Sequence, residues 1–217
     1  NPESEAIQRS FLVVVDDESL PQGSEQSTRD SLAGFVEGLD VADQVGFASV
    51  PHGGIRRPLT LEHRPVIQAL RQLSGRATSR ESAQDAGCRA RNVLSQLDLF
   101  LEGIGGANRP LVVVFVSGSM YDGGGWVQAP LGTSIACDLQ MAEFQRLGRR
   151  AAEVRSSLYT VQPETFASLS WTSNPRAGLE HVAGATGGKI LQLSGRDGDL
   201  LSRVSRETSG FYLATVR

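Results

Sequence analysis

The stretch Phe11-Leu-Val-Val-Val-Asp-Asp-Glu-Ser-Leu20 is the starting point for interpreting the whole chain. Its run of apolar, mostly β-branched residues, 11–15, predicts a strand that is buried on both faces. Two aspartates, a glutamate and a serine follow directly at the carboxyl end of that strand. In open α/β sheets the ligands bind outside the carboxyl ends of the strands. The stretch therefore predicts both a fold class and the position of a candidate site.

Two kinds of apolar pattern alternate along the rest of the chain. Short apolar runs predict further strands at 45–50, 111–116, 157–161, 189–193 and 211–216. Between them, apolar residues recur at helical spacing and predict helices around 32–39, 66–73, 93–104, 144–154, 179–183 and 200–204. The polar stretch 75–87 is predicted to be a loop, and Gly187-Gly188 to end a helix. The alternation predicts a doubly wound, mostly parallel α/β sheet with helices on both faces.

The composition predicts one globular domain spanning residues 1–217. The chain of 217 residues is long enough for one sizeable core and contains no internal repeat or interior linker. It begins at Asn1 without a methionine and ends within an apolar run. We therefore expect a piece that is excerpted from a longer chain or processed.

Charge and hydropathy argue against nucleic-acid binding and against a membrane-spanning helix. The formal net charge is -3, and the basic residues form no cluster beyond short pairs such as Arg149-Arg150. This pattern lacks the basic patch that binds phosphate backbones, so nucleic acid is not an expected partner. No uncharged apolar run approaches the roughly 20 residues that a spanning helix requires.

The two cysteines leave two alternatives open. Cys88 and Cys137 could form a disulfide in an oxidising compartment, or they could be two buried thiols. Their spacing fits neither a zinc site nor a Cys-x-x-Cys redox motif.

The acidic turn after the first predicted strand is the most suggestive candidate site. Asp16, Asp17 and Ser19 offer carboxylate and hydroxyl oxygens, which are suitable ligands for Mg²⁺ or Ca²⁺. The alternative interpretation is a solvated turn that caps a helix.

Several segments resemble a von Willebrand factor type A domain. They are the opening stretch 11–20, Arg109-Pro-Leu-Val-Val-Val-Phe-Val-Ser-Gly118 and Ser157-Leu-Tyr-Thr-Val-Gln-Pro163. Two further segments are similar to a divergent bacterial branch, the type A related domains of acidobacteria: Gly178-Leu-Glu-His-Val-Ala-Gly-Ala-Thr-Gly-Gly-Lys189 and Ser209-Gly-Phe-Tyr-Leu-Ala-Thr-Val216. The resemblance covers nearly the whole chain and implies a Rossmann-like fold.

The resemblance also implies a cation site, but the pattern is degraded. The family holds a divalent cation through Asp-x-Ser-x-Ser, a threonine from a second loop and an aspartate after a later strand. Starting that pattern at Asp16 puts Glu18 and Leu20 in the serine positions, and starting at Asp17 puts Pro21 in the last one. Thr60 is a possible match for the threonine, whereas the later aspartate falls where Ser117 and Gly118 stand.

Other motifs give weaker indications of chemistry. Ser117 and Ser119, with His52, His63 and His181 elsewhere, supply the residue types of a hydrolase. The nucleophile elbow Gly-x-Ser-x-Gly is missing around these serines, and the histidines lack metal-site spacing. The segment 184–189 looks like a phosphate loop but lacks its first glycine, so it is expected to be a helix cap.

Two aromatic residues are candidates for contact with a partner. Tyr121 and Trp126 fall in the glycine-rich loop at the expected binding edge of the sheet, where exposed aromatics are enriched in interface hot spots. The alternative is that they pack locally within the loop.

The sequence thus predicts a non-catalytic, extracytoplasmic module without a cofactor that binds a protein partner independently of cations. The first alternative is metal-dependent adhesion, in which Mg²⁺ or Ca²⁺ receives a carboxylate of the partner. A hydrolase and a structural subunit of a larger assembly are the other two.

Overall fold

A computed structural model of the chain describes residues 8–52, 54–77, 81–104, 109–122, 137, 139–163, 174–193 and 200–209. These ranges contain six strands and six α-helices. The strands are β1 (Ser10–Asp16), β2 (Gln44–Val50), β3 (Arg56–Thr60), β4 (Leu111–Val116), β5 (Ser156–Pro163) and β6 (Ile190–Leu193). The helices are α1 (Gln26–Glu37), α2 (His63–Arg71), α3 (Ala83–Ile104), α4 (Met141–Glu153), α5 (Ala177–Ala185) and α6 (Leu200–Glu207).

The strands form one sheet in the order β3-β2-β1-β4-β5-β6. All neighbours are parallel except β3, which runs antiparallel to β2 at the edge. The strand order reverses at β1, since β2 lies on one side of it and β4 on the other. Such a switch point opens a crevice outside the carboxyl ends of the two central strands. The acidic turn after β1 lies at this crevice.

Helices cover both faces of the sheet. One apolar cluster, which includes Phe11 and Phe35, joins the sheet to α1, α2 and α6. The other, which includes Phe115 and Phe144, joins the opposite face to α3, α4 and α5. Strands β1 and β4 are buried at every residue because they face a helical layer on each side. The predicted doubly wound α/β fold is confirmed.

Two local predictions were wrong. Residues 56–60 form edge strand β3, which is absent from the predicted strands. Its Arg-Arg-Pro sequence is exposed and has no apolar alternation, and a proline is tolerated at a sheet edge because the outer side needs no ladder N–H. Helix α3 begins at Ala83, within the stretch 75–87 that was predicted to be loop. The strand predicted at 211–216 lies outside the described residues.

The glycine pair after α5 ends the helix as predicted. Gly187 has a φ of 70°, and the N–H of Gly188 donates to the carbonyl of Ala183. This is the Schellman arrangement, in which a left-handed residue lets the chain satisfy the last helical carbonyls. The pair is therefore a helix cap and leads directly into β6.

The structure also decides between the two alternatives for the cysteines. Cys88 of α3 is disulfide-bonded to Cys137, which lies just before α4.

Among the described helices, none has both the length and the apolar character needed to cross a membrane.

Candidate binding site at the carboxyl ends of β1 and β4

The loops after β1 and β4 are joined by hydrogen bonds at the crevice. Asp16 is the last residue of β1 and Ser117 the first after β4, and the two strands are paired in register up to the preceding residues. The hydroxyl of Ser117 donates to Oδ2 of Asp16 at 2.9 Å. The hydroxyl of Ser19 donates to the carbonyl of Asp16 at 2.7 Å and accepts the N–H of Gly118 at 2.7 Å. Asp16 is therefore held from both loops.

A buried arginine from α3 occupies the centre of the site. Arg89 donates to Oδ2 of Asp16 at 2.5 Å and to the two carboxylate oxygens of Glu81 at 2.8 and 3.2 Å. It also donates to the carbonyl of Ser119 at 3.1 Å. The side chain is only 4% exposed and that of Asp16 only 1%. One guanidinium thus connects the loop after β1, the loop after β4 and the segment before α3.

The position of Arg89 follows from the periodicity of α3. Ala86 and Val93 lie three residues before and four residues after it, and both are fully buried. Residues at these spacings share one face of a helix, so Arg89 projects from the face that packs on the sheet. A charge on the buried face of an amphipathic helix needs a partner of opposite charge. Asp16 and Glu81 supply it.

Burial works against both ions of this pair. It raises the pKa of Asp16 above its ordinary value, while Arg89 and the hydrogen bond from Ser117 act in the opposite direction. Burial by itself lowers the pKa of Arg89, but the carboxylates of Asp16 and Glu81 outweigh it and keep that pKa above its usual range. The guanidinium therefore carries its charge inside the site.

The next two carboxylates of the acidic turn also have protein cations as partners. Asp17 accepts from Arg76 at 2.7 Å, and Glu18 lies 3.7 Å from the same guanidinium. Oε1 of Glu18 is 2.7 Å from Nδ1 of His52. Burial raises the pKa of Asp17, and its hydrogen bond and ion pair with Arg76 oppose that shift. The acidic turn thus has counter-charges throughout, and only its Glu18 end is partly exposed to solvent.

The donor set does not fit a resident divalent cation. Oδ1 of Asp16 is buried and has no hydrogen-bond partner among the described residues, which by itself would suit a cation. However, Oδ2 already accepts from Arg89 and Ser117. A cation about 4 Å from the guanidinium would be repelled by about 4 kcal/mol per unit charge at an effective dielectric of about 20. The described residues also hold no cluster of three or more His, Cys, Asp or Glu side chains that could bind a metal.

Thr60 does not share this site. It is paired with Val45 at the start of β2, whereas Asp16 is paired with Val50 at the end of the same strand. At about 3.3 Å per residue, the two positions are separated by most of the length of the strand. The assignment of Thr60 to a common cation site with Asp16 was wrong, because β3 returns antiparallel to the opposite end of the sheet.

The exposure predicted for Tyr121 was also wrong. Its side chain is 6% exposed and belongs to the apolar cluster on the α3 side of the sheet. It lies over Gly87, where an added Cβ would be 3.5 Å from the ring. Tyr121 therefore packs into the core against α3, which is neither of the two positions considered from the sequence. Trp126 lies outside the described residues.

The serines and histidines that suggested a hydrolase are not brought together. Ser117 is bonded to Asp16, and the hydroxyl of Ser119 accepts from Arg89 at 3.3 Å. Among the described residues no histidine contacts either serine. His63 bonds the carbonyl of Asp43, and His181 stacks on an aromatic ring of α4. Among the described residues, the hydrogen bonds of these buried serines join the two loops and Arg89 and include no histidine.

Sequence reasoning missed the charged residues that surround the acidic turn. Arg76 and Glu81 lie in the stretch 75–87 that was predicted to be loop, and Arg89 lies two residues after it. One signal was present. Arg89 stands four residues before Val93, so it occupies the next inward position, one turn before the helix predicted at 93–104. A lone arginine at an inward position predicts a buried ion pair, although it does not identify the carboxylate.

Comparison of the sequence with protein-family models and with curated proteins finds no match. Solved structures, in contrast, share the fold. The von Willebrand factor domain of the type V pili tip protein Mfa5 from Porphyromonas gingivalis superimposes with a TM-score of 0.61 at 8% identity, covering 97% of this chain and 99% of that one.

A second similar structure is proximal thread matrix protein 1 from the mussel byssus. It has a TM-score of 0.56 at 17% identity, over 91% of this chain and 47% of that one. This chain therefore spans about half the length of that protein. Another structure of the same mussel protein, with zinc in its MIDAS motif, has a TM-score of 0.53 at 16% identity. The chain has the fold of a von Willebrand factor type A domain.

Proposed function

We propose that this chain is a non-catalytic protein-binding or scaffold module that binds its partner without a divalent cation. The buried ion pair of Arg89 with Asp16 carries the proposal. The protein itself supplies a positive charge to the carboxylate from which a cation site would be built. The charge of the site is then constant and does not depend on the metal content of the medium.

The partner is proposed to dock over the crevice at this edge of the sheet. A cleft of about 490 Å³ lies beside Arg89 and is lined by polar side chains, including His52, Asp85 and Asn92. The paired charges around Arg89 support the floor of the cleft and keep it in one arrangement. Pre-organisation of this kind lowers the entropic cost of ordering the site when the partner binds.

We further propose that the chain is a single domain that acts outside the cytoplasm. The disulfide between Cys88 and Cys137 supports this location, since disulfides persist in oxidising compartments and are rare in the cytosol. The bond connects α3, which carries Arg89, to the segment before α4. It therefore also restrains the helix that positions the site.

Calorimetric titration of chelator-treated protein with Mg²⁺, Mn²⁺, Ca²⁺ and Zn²⁺ tests the cation-independent mechanism. The wild type should give no saturable heat. An Asp16→Ala, Asp17→Ala double variant removes the carboxylates that a cation would need. Saturable binding by the wild type that is lost in the double variant would replace the proposal with metal-dependent adhesion.

Capture of a partner tests the binding role itself. Immobilised domain is exposed to the extracytoplasmic fraction of the source cells, once in EDTA and once in Mg²⁺. The same protein should be retained in both media and lost when the cleft is altered by Asp85→Lys. A matched charge change on α4, Glu153→Lys, should have no effect because that residue is exposed in the last turn of α4, beside the end of α3 that lies away from the cleft. Retention that requires Mg²⁺, or that ignores Asp85→Lys, would contradict the proposal.

A further inference from the structure

A second cleft lies at the other side of the domain, along edge strand β3. We call it the β3 groove. Its floor includes Leu12 and Ala48, and its walls are residues 56–59 of β3 and the last turns of α3 from Leu99 to Ile104. Its volume is about 640 Å³. None of the residues in the crevice described above lines it.

The groove exists because small residues stand on one face of β2. In the parallel register Leu12 is paired with Gly46 and Val14 with Ala48, and both β1 residues belong to the cluster on the α3 side. Paired residues of neighbouring strands point to the same face, so at positions 46 and 48 β2 presents only a hydrogen atom and a methyl group. Helix α3 does not fill the space, and the gap between it and β3 stays open.

The groove combines an apolar surface with uncompensated positive charge. Leu99 is 53% exposed and lines the groove. The guanidinium of Arg56 stacks 4.9 Å from the centre of the Phe100 ring and donates to Gln96 at 3.2 Å. Arg57 donates to the carbonyl of Arg56. Among the described residues neither arginine pairs with a carboxylate, and no acidic side chain lines the groove.

We infer that the β3 groove binds a segment of a partner protein in which apolar side chains alternate with acidic ones. The apolar side chains cover Leu12, Ala48 and Leu99, and a carboxylate pairs with Arg56. An Arg–carboxylate pair beside an apolar surface gives direction to an otherwise non-directional contact. A second copy of this chain fits poorly, because its own groove would bring like charges together. The inference adds a binding site that is independent of the crevice.

Fluorescence anisotropy with defined peptides tests the inference on the intact chain. The probe is a short fluorescein-labelled peptide in which leucine alternates with glutamate, and the matched peptide has glutamine in place of glutamate. The glutamate peptide should bind saturably, and the glutamine peptide at least about tenfold more weakly. Arg56→Gln should weaken the glutamate peptide by a similar factor, about the tenfold that one charge-assisted hydrogen bond contributes.

A groove-filling variant separates binding from folding. Gly103 lies in α3 at the groove, and a Cβ added there meets no atom within 4 Å. Gly103→Leu adds a side chain at the groove wall from a Cβ that meets no clash, and leucine favours the helix more than glycine does. Gly34 of α1 is equally open and faces away from the groove, which makes Gly34→Leu the matched control.

The expected result is loss of peptide binding in Gly103→Leu and unchanged binding in Gly34→Leu, with both variants folded by circular dichroism. Equal binding of the two peptides would overturn the charge assignment. Binding that persists in Gly103→Leu, or no saturable binding to the wild type, would overturn the site. A concentration-dependent dimer in sedimentation that is abolished by Gly103→Leu would assign the groove to a second copy.

Discussion

Replacing Arg89 with methionine should destabilise the domain severely. Methionine keeps most of the length of the side chain but removes its charge and all its N–H donors. Asp16 then remains buried beside Glu81 without a counter-charge, and the carbonyl of Ser119 loses a donor. Removing one partner from a buried ion pair costs about 3–5 kcal/mol, which is a large part of the stability of a typical domain.

Denaturant unfolding followed by circular dichroism measures the loss, with the disulfide intact in all variants. The matched control is Arg91→Met on the same helix, where the side chain is 47% exposed and pairs with Glu143. Exposed pairs contribute about 0–1 kcal/mol, so this control should change the free energy of unfolding very little. Adding Asp16→Asn to Arg89→Met should recover at least about 1 kcal/mol, because it removes the unpaired buried charge.

The pH dependence of the Arg89→Met variant gives a second readout. Without the guanidinium, the pKa of Asp16 rises further above its unfolded value of about 3.9. The folded variant then binds a proton that the unfolded chain releases. The unfolding free energy that the variant loses relative to the wild type should therefore shrink as the pH falls toward that value. A free-energy loss no larger than that of Arg91→Met, or a deficit independent of pH, would refute the role assigned to the buried pair.

Three further predictions concern other parts of the fold. Replacing both half-cystines by alanine should cost about 4 kcal/mol in denaturant unfolding, the loop-closure value for 49 positions, and a loss near zero would contradict it. Gly188→Ala should lower the melting temperature, because its Cβ would overlap the carbonyl of Leu158, whereas Gly184→Ala in open helical space should raise it slightly. Burial raises the pKa of Asp17, so the folded state holds its proton more tightly than the unfolded chain, and the wild type loses stability as the pH rises from about 4. Asp17→Asn should make this loss with pH smaller. An unchanged slope would exclude that contribution.

The central strands were predictable because both of their faces are buried. Residues 11–15 and 111–116 are continuous apolar runs, and a parallel strand between two helical layers requires that composition. The stripe that includes Leu32, Phe35 and Val36 likewise predicted α1 from its spacing alone. Edge strand β3 was not predicted from the sequence. Only one of its faces packs on a helix, so its sequence has no apolar run.

The candidate site was predictable only on its acidic side. Asp16, Asp17 and Ser19 are adjacent in sequence, so their common position at a strand end could be inferred from the strand alone. The basic side chains that pair with them are distant in sequence: Arg76 lies in the stretch predicted to be loop, and Arg89 lies in the first turns of α3, before the helix predicted at 93–104. Thr60 and Tyr121 were misplaced for the related reason that the path of an edge strand and the packing of a loop depend on distant residues.

The sequence by itself determined the layered α/β architecture and the place of the acidic turn at the crevice, because hydrophobic periodicity is a local property of the chain. Only the tertiary structure decided the electrostatic character of that crevice. Arg89 and Asp16 are 73 positions apart, and no local pattern links them. They meet because α3 packs its inward face across the carboxyl end of β1, where a buried charge requires a partner of opposite charge.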